Sequence, residues 1–103
     1  MSVFVVLGNW TDQGIKNVKE APGRDKEARE MVENAGGSIQ IFYTLGDYDF
    51  VAIIEIPKDE DLVSILLCLG SMGNVRTSTM KAWKESEVAE MLKAPHPTKR
   101  PML

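Results

Sequence analysis

The sequence predicts an α+β domain built as two strand–helix–strand halves. Three observations carry the prediction. Two amphipathic helical stripes alternate with four β-prone runs. The two middle runs, Ile39 to Tyr43 and Phe50 to Ile56, flank the stretch Thr44-Leu45-Gly46-Asp47-Tyr48-Asp49, which reads as a hairpin turn. The chain has 103 residues, 44% hydrophobic and 26% charged, which is enough for one core and too few for two.

Val3-Phe4-Val5-Val6-Leu7 is apolar and rich in β-branched residues, so it reads as a first strand buried on both faces. Gly8-Asn9-Trp10-Thr11-Asp12 ends it. Thr11 or Asp12 caps a short helical turn holding Ile15 and Val18, which Pro22 and Gly23 interrupt. Ala28, Met31, Val32 and Ala35 then form the inward stripe of a first long helix, with Arg24, Lys26, Glu27, Arg29, Glu30 and Glu33 on its other faces. Gly36-Gly37 stops that helix. In the hairpin turn, Gly46 and Asp47 supply left-handed backbone conformations. Pro57 ends the third strand.

A second helix starts near Lys58-Asp59-Glu60-Asp61, where acidic side chains suit the positive end of the helix dipole. Leu62, Ile65, Leu66 and Leu69 face inward. Val63, Leu67 and Cys68 widen the stripe, which implies burial on more than one side. Asn74 to Trp83 reads as the fourth strand, and Ser86 caps a last short helix carrying Val88, Met91 and Leu92. The domain is assigned to residues 1–93. Residues 94–103, rich in proline and basic, read as a flexible tail.

The order is β-α-β-β-α-β, the ferredoxin-like arrangement, with a four-stranded antiparallel sheet and both helices on one face. The strands are apolar on both faces, so the helix-free face calls for a cover. A homodimer or higher homo-oligomer through that open face is the expected partner arrangement.

The residues around the turn also carry a resemblance. Gly46-Asp47-Tyr48-Asp49 follows Phe42-Tyr43 and leads into the apolar strand after it. Asn9-Trp10-Thr11-Asp12-Gln13-Gly14-Ile15 and Leu69-Gly70-Ser71-Met72-Gly73-Asn74-Val75-Arg76-Thr77 are two further matching stretches. Together they resemble the GYD domain family over residues 3–92. The resemblance implies a small ferredoxin-like domain with kinship to the dimeric α/β barrels, and it supplies no established activity. One departure is Ala21-Pro22, where such proteins often open the first long helix with Ser-Pro.

The candidate ligand-binding residues are Asn9, Trp10, Asp47, Tyr48, Asp49 and Arg76. Asp47 and Asp49 are carboxylates fit for general-base or ligand-anchoring work beside the Tyr48 phenol. The competing reading, a turn whose Asp side chains bond backbone, accounts for the same residues and has the advantage. Arg76 suits a carboxylate ligand or a salt bridge across a subunit contact. Trp10 and Trp83 read as packing residues. With the first and third strands taken as parallel, Asn9-Trp10 and Asn74-Arg76 gather at one rim and the Gly-Asp-Tyr-Asp turn lies at the other.

Other chemistry is thin. Cys68 reads as a buried, inert thiol, and a single cysteine, with no signal-peptide pattern, suggests a cytoplasmic protein. His96, the only histidine, sits between two prolines in the tail. No metal site or cofactor is expected. A net charge of -3 argues against nucleic acid, and no apolar run is long enough for a membrane span. The readings that remain are a self-associating small-ligand-binding or regulatory module, or a cofactor-independent isomerase or oxygenase with a cleft between helices and sheet. The second rests on analogy of fold.

Overall fold

A computed structural model describes residues 1–93. Strand β1 (Ser2–Trp10) is followed by the short helix α1 (Asp12–Lys16), a 3-10 turn (Val18–Glu20) and helix α2 (Ala21–Asn34). Strands β2 (Ser38–Tyr43) and β3 (Phe50–Ile56) form the hairpin. Helix α3 (Asp59–Ser71), strand β4 (Val75–Ala82) and helix α4 (Glu85–Lys93) complete the domain. The four strands make one antiparallel sheet in the order β2-β3-β1-β4, the expected ferredoxin-like arrangement.

The core follows the pleat. Phe4 and Val6 of β1 stand on the same face as Ala52, Ile54 and Ile56 of β3, paired as Phe4 with Ile54 and Val6 with Ala52. Val32 of α2 and Leu62 and Ile65 of α3 close over them. The alternate residues form the opposite face. There Val5 pairs with both Ile53 and Met80, Leu7 with Val51, and Phe42 with Val51. Phe42 and Met80 are half exposed, and the buried side chains of α2 and α3 lie against the other face.

Three local expectations are corrected. Pro22 begins the long helix instead of interrupting the chain before it: α2 starts at Ala21 with proline in its first turn, where a missing N–H costs nothing. Ser86 lies inside α4, whose start is fixed by Glu87 accepting from the Lys84 backbone N–H at 2.8 Å. Only Gly46 adopts a positive φ in the hairpin loop, at 128°, and Asp47 does not. Thr11 caps α1 as expected, accepting from the Gly14 N–H at 3.1 Å.

The breadth of the α3 stripe does not mean burial. Val63 and Leu67 are exposed, at 56% and 69%, and Cys68 is exposed as well, against the expectation of a buried thiol. Val63 and Leu67 line an open groove with Val75 and Thr77 on the β4 side. The start of α3 is pinned to β4 by Lys81, which donates to Asp59 at 2.8 Å and holds that carboxyl below its usual range. This surface pair contributes little on its own. No described helix is long and apolar enough to cross a membrane. The predicted tail, residues 94–103, lies outside the described residues.

Candidate functional site

The rim assignment is reversed by the strand directions. A strand–helix–strand unit returns its second strand parallel to its first, so the hairpin sends β3 antiparallel to β1. Gly8 therefore pairs with Phe50, and Trp10 with Val75. The end of β1, the hairpin loop and the start of β4 all meet at one rim within a single chain.

Hydrogen bonds knit that rim across long sequence separations. The Asp49 carboxylate accepts from the Trp10 backbone N–H at 2.9 Å, and the Asp49 N–H donates to the Gly8 carbonyl at 2.9 Å. Thr44 closes the loop on itself, its N–H donating to the Asp49 carbonyl and its hydroxyl to the Tyr48 carbonyl. On the other side, the Thr11 N–H donates to the Asn74 carbonyl at 3.0 Å and the Thr11 hydroxyl to the Gly73 carbonyl at 2.6 Å. Gln13 donates to both Met72 and Asn74.

Beneath this rim, between α2, α3 and the sheet, lies a cavity of about 80 Å³. That is room for several water molecules or a small organic group. Most of its wall is apolar, from residues such as Val6, Ile41 and Ala52. Tyr43, Phe50, Gly8 and Thr77 form one row across the sheet below it, and the Phe50 ring occupies the space a side chain on Gly8 would need. Trp10 meets Tyr43 edge-to-face, with ring centroids 5.9 Å apart.

The polar groups of the cavity come from an unexpected quarter. Arg24 and Asp25 of α2 line it, with Tyr43, Trp10 and Asn74. The Tyr43 hydroxyl donates to the Asp25 carboxylate. Partial removal from water, then that bond and the charge of Asp25, push the Tyr43 phenol up to about 12, so it stays protonated throughout the neutral range. Arg24 donates through Nη1 to the Asn17 carbonyl at 3.2 Å. Its Nη2 is buried and has no partner among the described residues.

Of the six residues singled out from the sequence, only Trp10 lines this cavity. Asp49 braces it from behind. Asn9 and Arg76 are paired opposite each other on β1 and β4, and Arg76 also lines the open groove beside Val63 and Leu67 of α3. Asp47 and Tyr48 are exposed in the loop. The charge of Arg24 reads as an outer face of the first long helix, and Asp25 belongs to no motif. Counted from Ala21 they sit at i+3 and i+4, on the same stripe as buried Ala28 and Val32.

The comparisons with known proteins agree with this architecture. The GYD domain matches residues 4–92. The chain belongs to the GYD domain family. A GYD relative from Thermus thermophilus, named glutamine synthetase and cystathionine beta-lyase binding protein, is 32% identical over 95 residues, covering 90% of this chain and all of that protein. The crystal structure of TTHA0845, also from Thermus thermophilus, is similar with a TM-score of 0.51 at 21% identity, over 82% of this chain and 95% of that one. The de novo designed protein Ferredog-Diesel gives the same TM-score at 15% identity, over 76% and 84% of the two chains. These two likenesses speak to the fold.

In this GYD domain Asp49 is a brace, which sets an expectation. Asp49→Ala leaves the part-buried Trp10 N–H without an acceptor and should cost about 1–3 kcal/mol. Asp49→Asn keeps a carbonyl oxygen in place and should cost less. Urea unfolding of both variants checks the order.

Proposed function

We propose that this chain is a self-associating small-ligand-binding or regulatory module of the cytoplasm, with its ligand in the cavity between the helices and the sheet. The observation that carries the reading is the cavity itself, apolar along its length and edged with polar groups at one end. The helix-free face, with Val5, Leu7, Val51, Ile53, Phe42 and Met80, supports self-association. The relative's name, which states that it binds two enzymes, supports a regulatory role exercised on protein partners.

One observation favours a second reading. Tyr43 and Asp25 both line the cavity, and a cofactor-independent isomerase would use such a phenol and carboxylate, once the bond between them gives way to substrate, to polarise a carbonyl and take up a proton. Native mass spectrometry of the freshly purified protein tests the first reading. The expected result is an even-numbered oligomer carrying a small molecule released on denaturation. A bare monomer overturns both parts of the proposal.

A further inference from the structure

We infer that the cavity takes a small monocarboxylate with an apolar tail, its carboxylate resting on Arg24. The inference rests on the binding-module reading above and names the ligand class. Its starting point is the unmet donor. A buried guanidinium N–H without a partner is costly, because it has given up water and received nothing in return. The neighbouring Asp25 does not supply the acceptor. No ion pair joins it to Arg24 among the described residues, and its carboxylate is engaged with the Tyr43 hydroxyl. Arg24 lines the cavity, so an acceptor bound there is placed to meet this donor.

The surroundings narrow the acceptor further. Asn74 also lines the cavity, and with its side-chain oxygen occupied by Gln13 its amide keeps donors to spare. A planar carboxylate matches a guanidinium through charge-assisted hydrogen bonds. The charge of Asp25 beside Arg24 disfavours a doubly charged group such as phosphate. Beyond the polar end the wall is aliphatic and aromatic, and about 80 Å³ admits a tail of only a few carbons.

The test is a titration of the full chain, followed by amide and indole NMR signals, with isovalerate, its neutral counterpart 3-methylbutanol and inorganic phosphate. Isovalerate should shift the Trp10 indole and the Ala28 and Val32 amides, and bind about tenfold more tightly than the alcohol. Arg24→Gln should erase that preference while leaving alcohol binding in place, and Arg24→Lys should retain part of it. The wild-type comparison decides the matter even if the variants fold poorly. Equal binding of acid and alcohol overturns the ligand class and leaves the cavity reading standing. Phosphate binding as tight as isovalerate overturns the role given to the tail. No shift with any probe overturns both inferences.

Discussion

Leu62→Ala should lower the midpoint of thermal unfolding by roughly 15 °C. Leu62 is 1% exposed and sits where α3 meets the central strands, against the cluster that includes Ile54 and Ile56. Truncation removes the branched end of the side chain and leaves a void that close-packed neighbours fill only in part. Losses of this kind run to about 2–5 kcal/mol, a large share of the ~5–15 kcal/mol that holds a domain together. The same truncation at Leu67, further along the helix and 69% exposed, should move the midpoint very little. Differential scanning calorimetry of the two variants separates the inward face of α3 from its outward one. Equal losses would mean that Leu67 is covered in solution.

The second large effect is expected at Gly14, and its sign runs against helix propensity. Replacing a helical glycine by alanine ordinarily stabilises by about 1 kcal/mol. A side chain on Gly14, however, would fall well inside the van der Waals radius of the Asn74 carbonyl oxygen. That oxygen belongs to backbone and already accepts from the Thr11 N–H, so it cannot yield without opening the rim. Overpacking costs about 1–3 kcal/mol, and the broken contact adds to it. Gly14→Ala should therefore destabilise by about 2 kcal/mol. Gly23, also helical, has nothing within 4 Å of an added methyl, and Gly23→Ala should stabilise by up to about 1 kcal/mol. Urea unfolding of the pair gives opposite shifts if the close approach of α1 to Asn74, just before β4, is as described.

The strands and the core were legible because their signal is local. Val3 to Leu7 and Phe50 to Ile56 are β-branched runs with few polar residues, and each lies within the strand expected of it. Features that depend on the path of the chain were less legible. The direction of β3 relative to β1 follows from the intervening elements, and treating the two as parallel splits one rim into two. Pro22 suits a chain break and a helix start equally well by local preference. Arg24, four residues before Ala28, lies on the inward stripe, yet its charge reads as a solvent-facing side chain. Val63, Leu67 and Cys68 are apolar enough for a core, yet nothing described in this chain covers them. Composition records how apolar a surface is and says nothing of what lies against it.

The rim has a consequence for the order in which the molecule assembles. The β2–β3 hairpin closes a loop of a few residues, which costs little entropy and can form early. The bonds over the cavity join residues 39 apart for Trp10 and Asp49, and 62 apart for Thr11 and Gly73. The first needs the hairpin to have docked on β1. The second cannot form until the segment leading into β4 has crossed to the other side of β1, and β4 is the last strand in the chain. Contacts of such long sequence separation slow folding. The end of the molecule that holds the cavity is thus a product of completed topology: a nascent or truncated chain that stops short of Gly73 has the hairpin and no clasp from Thr11 to Gly73 and Asn74.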